Sequence, residues 1–331
     1  MSQRFAQGSR SQLAVGVQSD FTTTATSFTN LPFSTHSLNM AKERLTGTDI
    51  QAHRMPTVDR HGARSVGGDI TADLRHDEFD VLMQSALMSS SDFDTGFTAG
   101  DGSTTVTNAA ILGTTPLFLS IEDYAEDIDQ ARLFTGCTVN SMSVSLAPNQ
   151  MVTSTFGIVG RDMSISQTQK TVTASAGNQP FDSYSGDIKL GNAGVANLGS
   201  ALTLITSLDF TLTNGFSPTM VVGENIASDL EFGTAALEGT ITAYFEDETM
   251  INRFLQETES SLEVVVGDPE SVARTLTFTM PRIKINSADV GVDGPTSRLV
   301  NMSFIALRDD TDLSSSTTDT NTLIKITKSA A

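Results

Sequence analysis

Two passages of this chain repeat each other, and that repeat limits the possible folds more than any other feature. Gly68-Asp-Ile-Thr-Ala-Asp-Leu74 aligns with Gly239-Thr-Ile-Thr-Ala-Tyr-Phe245 at an offset of 171 residues (239 − 68), sharing Gly, Ile, Thr and Ala. The match extends in both directions. Ser37-Leu38 meets Ser207-Leu208 upstream, Phe134-Thr135 meets Phe278-Thr279 downstream, and Ile158-Val-Gly-Arg-Asp162 meets Ile305-Ala-Leu-Arg-Asp309. The alternative is chance likeness between Ser/Thr-rich segments, but strand, long loop, strand, helix and strands recur in the same order, as tandem duplication of one folding unit would produce. The copies are expected at 10–163 and 206–310. Between them, 164–205 is a connecting segment with its own strands, and 311–331 is a flexible Ser/Thr/Asp tail. The first copy carries a long loop at 41–68 and an insertion loop at 89–115.

The local pattern is mostly period two. Ser141-Met-Ser-Val-Ser-Leu146, Leu202-Thr-Leu-Ile-Thr206, Thr275-Leu-Thr-Phe-Thr279 and Arg282-Ile-Lys-Ile285 alternate apolar and polar residues, the mark of half-buried antiparallel strands. Only two segments carry helical spacing. Residues 76–87 place Phe79, Leu82, Met83 and Ala86 on one face, and residues 247–257 do the same with Met250, Phe254 and Leu255.

Composition then excludes several classes. With 20 Lys+Arg against 39 Asp+Glu, the net charge is −19 over 331 residues, which repels nucleic acid instead of gripping its phosphates. A single cysteine, Cys137, forbids an intramolecular disulfide and a cysteine-built zinc site; it reads as a small buried residue in a strand. Residues 1–12 have no apolar stretch of secretory-signal length, and no run approaches a membrane span, so synthesis in the cytoplasm without membrane insertion is expected.

Chemistry is hard to find. The four histidines, His36, His53, His61 and His76, stand 17, 8 and 15 residues apart, which fits no metal-ligand run. Asp92-Phe-Asp94 opens like a calcium loop but has Phe97 where the turn needs Gly and Ser103 where the closing Glu belongs; the acidic run 122–129 is the other calcium candidate. No phosphate-binding glycine loop or nucleophile elbow occurs, so no catalytic residue, metal or cofactor is assigned.

Charge is unevenly distributed. Residues 1–75 hold 8 basic and 6 acidic residues, a net of +2, leaving −21 for the remainder. The loop after the first strand of copy one carries Lys42, Arg44, Arg54, Arg60 and Arg64. Its counterpart at 211–239 carries Glu224, Asp229, Glu231 and Glu238 and no base. Either both loops are merely solvated, or the basic loop of one subunit meets acidic surface on the next, a head-to-tail contact that builds a filament when repeated.

The opening Leu13-Ala-Val-Gly-Val-Gln-Ser-Asp-Phe21 with Leu31-Pro-Phe33, the Ser37-Leu38 strand, the long loop, Val66-Gly-Gly-Asp-Ile-Thr-Ala-Asp-Leu74 and the helix behind it resemble the tail tube (major tail) proteins of long-tailed bacteriophages. The resemblance implies a mainly β chain: two tandem β-sandwich or partial-barrel domains, each with one flanking helix, joining neighbours into a large shared β-barrel ring. It also implies rings stacked through the long loop, a polar lumen passing double-stranded DNA, and partners that include a tape-measure protein, baseplate or tip proteins and a tail terminator. If each copy lends about four strands, three chains give about 24 strands. The backbone diameter is then about 48 Å, leaving a bore of about 38 Å, wide enough for a duplex of about 20 Å. The expected assembly is a trimeric ring with pseudo-sixfold symmetry, located in the virion. A calcium-binding β-sandwich adhesin or lectin, and another tube-like part such as a completion ring or baseplate hub, are the competing readings.

Overall fold

A computed structural model describes residues 5–50, 52–55, 57–89, 93–98, 105–193, 204–246, 248–292, 294, 297–309 and 322–329. It is mainly β, built of large sheets that do not close into a barrel among the described residues. The first layer is one continuous antiparallel sheet. Its strands run in the order Asn39–Thr46, Asp59–Asp73, Thr153–Gly160, Gln130–Leu146, Ile205–Thr213, Ala236–Tyr244, Leu299–Ala306 and Ser271–Val290. Four of these strands precede residue 161 and four follow residue 204.

Two strands are long enough to belong to both layers. The first half of Gln130–Leu146 leaves the shared sheet to pair with Leu119–Ala125 and Asp162–Ser166, and Ser11–Val17 and Phe28–Leu31 extend that outer sheet. The first half of Ser271–Val290 does likewise with Ser260–Asp268 and Lys325–Lys328, extended by Asp182–Asn192 and Ala109–Ile111. Bulges make this crossing possible, because an inserted residue bends a strand and tightens its twist. They lie between Phe134 and Cys137 and between Val139 and Ser141 in the first strand, and between Met280 and Ile283 and between Ile285 and Ser287 in the second.

The two halves therefore repeat one strand order and one set of irregularities. Matching their bulges pairs Phe134 with Met280 and Ile158 with Phe304, two residues and one away from the sequence matches to Phe278 and Ile305. Gly68 and Gly239 do correspond, and each is needed. A Cβ on Gly68, at φ +142°, would lie 2.6 Å from the Ser37 carbonyl, and one on Gly239 would lie 2.4 Å from the Phe304 ring.

Helix α1 (Asp80–Leu87) lies against Gln130–Leu146, and α2 (Thr249–Leu255) against Ser271–Val290. Both are shorter than the 12- and 11-residue segments the spacing predicts. Asp77 at φ 63° and Met88 at φ 49° frame α1, and Glu257 at φ 51° follows α2. The core between the layers is rich in phenylalanine: Phe79, Phe134, Phe156, Phe181, Phe210 and Phe278 are fully buried. Cys137 is buried among them as expected, and burial pushes its thiol pKa up.

Three expectations need correction. The stretch 41–68 is no loop: Lys42 pairs with Arg64, Leu45 with Arg60 and Thr46 with Asp59, forming a two-stranded arm with its turn beyond Thr46. Its basic side chains are spaced for solvent exposure on both faces, which hides the period-two signal. The 311–331 stretch is not all flexible tail, because Lys325–Lys328 is inserted between Ser271–Val290 and Ala109–Ile111, with Ile324 and Ile326 fully buried. Residues 310–321, 330 and 331 lie outside the described residues. Part of 89–115 is also ordered as strand, at Phe97–Thr98, Thr105–Val106 and Ala109–Ile111.

Candidate functional site

Side chains on a strand alternate between faces, so the shared eight-stranded sheet sorts its residues into two surfaces. One is the core: Ala72, Val144, Phe210, Phe304 and Ile285 fall in one cross-strand row and are buried. The other is mostly polar. One row, polar throughout, runs Asp73, Thr153, Ser145, Asp209, Thr240, Ser303 and Ser287, each opposite the next on the neighbouring strand. A second row runs Thr71, Thr155, Ser143, Thr211 and Glu238, and ends on Ile305 and Lys284.

Hydrogen bonds hold this face together laterally. Thr71 and Thr155 share one at 3.1 Å, Thr242 donates to Asn301 Oδ1 at 2.9 Å, Ser287 and Ser303 share one at 2.7 Å, and the Ser145 hydroxyl donates to Asp209. Short hydroxyl side chains thus satisfy one another, leaving a smooth hydrophilic surface. Its formal charge comes from Asp69, Asp73, Asp209, Glu238 and Asp289, while Lys284 at the far edge is ion-paired to Glu257. Glu238 belongs to this sheet face, flanked by Thr211 and Ile305, and not to a loop with Glu224, Asp229 and Glu231.

The remaining charged candidates divide in two. Lys42, Arg54 and Arg60 are exposed along the arm, with the apolar Leu45, Ile50, Met55 and Val58 exposed beside them. Arg44 donates to Asp59 at 2.8 Å, which raises the guanidinium pKa and lowers that of the carboxyl; Arg64 reaches Asp162 at 3.3 Å. Asp229 and Glu231 sit on a small hairpin, Ser217–Thr219 with Asp229–Glu231. That hairpin folds back on the first half: Arg64 N–H donates to Asn225 O at 2.8 Å, and Arg161 Nε to Ala227 O at 3.0 Å. Phe216, Ala227 and Leu230 bury themselves with Phe21 and Met88. Basic and acidic segments thus touch inside one chain, at Arg64 and the residue after Glu224.

The acids considered for calcium have other partners. Glu122 accepts the Lys170 amide at 3.0 Å, and burial raises its pKa. Asp123 is held by Arg132 and His36, whose hydrogen bonds outweigh the upward push of burial and lower its pKa. Asp94 lies 2.9 Å from Lys328, and Asp92 is outside the described residues. Among the described residues no group of three or more His, Cys, Asp or Glu is placed to hold a metal ion.

A family model for phage tail tube proteins matches residues 8–306. The chain belongs to the phage tail tube protein family. No curated protein matches its sequence. A tail tube protein is a structural subunit of the virion that assembles with its own copies into a tube. Among the described residues no helix of this tail tube protein is long and apolar enough to cross a membrane. The family match stops before Lys325–Lys328, the strand that stitches the end of the chain to Ala109–Ile111.

The sequence named Glu238 as part of an acidic loop and assigned no residue to the polar face. The signal was present in the Ser-x-Ser-x-Ser and Thr-x-Thr alternation of residues 141–145 and 211–213, since serine and threonine on the outward positions of neighbouring strands mark a shared solvated face.

Proposed function

We propose that three copies of this chain close into a ring of pseudo-sixfold symmetry, that the polar face of the shared sheet lines its bore, and that stacked rings conduct double-stranded DNA. The carrying observation is the sheet itself: four strands from each half, in the same order, in one continuous layer with a single hydrophilic face. Eight strands per chain give about 24 in a trimer, and the bore of about 38 Å calculated for that number clears a duplex. Six chains of this kind would enclose a far wider pipe than DNA needs.

Tandem duplication accounts for the repeat. Asp182–Asn192 lies on Ser260–Asp268 as Ser11–Val17 lies on Leu119–Ala125, which supports starting the second copy near 182 instead of 206. Lys325–Lys328 then takes the place of Asp162–Ser166 beside its long strand.

The lumen works by withholding contacts. Asp73, Asp209 and Asp289 repel phosphates, and the intervening hydroxyls offer no cation on which DNA could dwell. The outer part of the two-stranded arm, with Arg54 and Arg60 and exposed Leu45, Ile50, Met55 and Val58, is the contact between rings. A tape-measure protein inside the tube, baseplate or tip proteins at one end and a terminator at the other are the remaining partners in this reading.

Reversing charge at Arg54 and Arg60 tests the stacking step. The variant is expected to fold and to form rings but elongate poorly in sedimentation and negative-stain images. Normal tube growth would remove the arm from the contact.

A further inference from the structure

The shared sheet ends in two open edges. Among the described residues, Asn39–Thr46 pairs only with Asp59–Asp73, and the last residues of Ser271–Val290 pair only with Leu299–Ala306. Both edges are placed for more. Ser37 N–H donates to Asp69 O at 2.9 Å, and because alternate residues of an antiparallel strand turn their backbone groups to opposite sides, Leu38 and Met40 turn theirs outward. Met40, Ala288 and Val290 are only partly buried, at the two margins of the core.

The chain already contains a joint of this kind. The second half of Gln130–Leu146 receives Ile205–Thr213 on the edge facing away from Thr153–Gly160, with Met142 opposite Leu212, Ser143 opposite Thr211 and Val144 opposite Phe210. Through the matching bulges, Met142, Ser143 and Val144 correspond to Ala288, Asp289 and Val290. Through Gly68 and Gly239, Leu212, Thr211 and Phe210 correspond to Met40, Asn39 and Leu38.

A second observation marks the vacant side. Asn140, the extra residue of the first bulge, accepts Asn214 N–H on its carbonyl at 2.8 Å and Phe216 N–H on Oδ1 at 2.7 Å. Asn286, the extra residue of the second bulge, is exposed and has neither contact among the described residues. Lys42 and Arg44 correspond to Asn214 and Phe216.

We infer that neighbouring chains join by strand addition in the register of the internal joint: Ala288 of one chain opposite Met40 of the next, Asp289 opposite Asn39 and Val290 opposite Leu38. Asn286 receives the backbone of the incoming arm. This contact rests on the ring proposed above and specifies its partner, a second copy of the chain, residue by residue. It also assigns the root of the arm to the joint within a ring, leaving the outer part to stacking. An open strand edge is a pairing hazard for an isolated protein, and head-to-tail closure removes it.

The test is cross-linking in assembled protein. Asn39 and Asp289 fall at a non-hydrogen-bonded position, where Cα atoms approach to about 4.5 Å, within disulfide reach. Oxidised tubes of Asn39→Cys with Asp289→Cys are expected to yield covalent species up to three chains, while Asn39→Cys with Ser287→Cys, two residues out of register, yields none. Buried Cys137 does not compete. As a second readout, Asn286→Ala is expected to leave the melting temperature of the monomer unchanged and raise the critical concentration for assembly about fivefold, the loss of roughly one hydrogen bond. Tubes cross-linked only in the shifted pair, tubes cross-linked in neither, or an unchanged critical concentration would overturn the register while leaving the tube standing. Failure of the unaltered protein to form tubes would overturn both.

Discussion

Lys328, three residues from the end of the chain, places its Nζ 2.6 Å from Asp80 Oδ2 at the start of α1, bridging 248 residues of sequence. Asp77 and Asp94 stand 2.9 Å from the same ammonium, which is almost fully buried. Burial alone would lower the lysine pKa, but the three carboxylates outweigh it and raise it. The second half of the chain is thereby anchored to the helix of the first.

Lys328→Met is expected to cost about 3 kcal/mol, because it strips the cation from the partly buried Asp80 and Asp77. The melting temperature should fall by several degrees at neutral pH. A melt within a degree of the parent would show that the cluster is not structural.

Deleting residues 322–331 should be more damaging. Ile324 and Ile326 are fully buried, and the strand fills the gap between Ser271–Val290 and Ala109–Ile111. Removing two buried isoleucines and both ladders costs at least about 5 kcal/mol, comparable with the whole stability of many domains. Circular dichroism and limited proteolysis should report a loosened second half. An intact fold would restore the view of the end as a dispensable tail.

Acid should loosen the fold in a predictable window. The pKa values of Asp77 and Asp123 are lowered in the folded state by their cations, so their stabilisation is fully present above the ordinary aspartate value of 3.8 and is lost as pH falls through their folded values. Asp80 and Glu122, raised by burial, act with the opposite sign and are relieved by protonation. Lys328, raised, holds its contribution until pH rises above the ordinary lysine value of 10.5. Melting curves should therefore be flat through neutrality and drop below about pH 4 and above about pH 10.5. Steep loss between pH 6 and 8 would point to histidine instead.

Gly239→Ala should destabilise by about 2 kcal/mol, since the added methyl meets the Phe304 ring and the Asp209 carbonyl. A neutral result would mean that the joint region yields more easily than its packing implies.

Strands and both helices were legible in the sequence, and Gly68 and Gly239, whose glycine requirement leaves a local mark, fall at matching places in the shared sheet. The sequence did not reveal the register. Short identities such as Phe134-Thr135 with Phe278-Thr279 fall two residues from the pairing that the registers give, and no period-two reading can place an inserted residue such as Asn140 or Asn286. The arm escaped notice because exposed basic strands have no buried alternate side. Lys325–Lys328 escaped because four residues behind a Ser/Thr/Asp run carry too little pattern to outweigh their surroundings. The polar face was visible as composition but not as a surface, since it exists only once eight strands are set side by side.

Replacing Asp73 and Asp209 by lysine should leave the monomer folded and convert the tube into a DNA binder. Retention of duplex by assembled protein is expected to rise and to weaken steeply with salt. No gain in retention would mean that this face does not border the channel.

Cryo-electron microscopy of assembled protein tests the central claim most directly. The account predicts three chains per ring, a continuous wall of about 24 strands and an open bore of about 38 Å bordered by Asp73, Asp209 and Asp289. A ring of six chains, or a bore bordered by any other surface of the molecule, would contradict it.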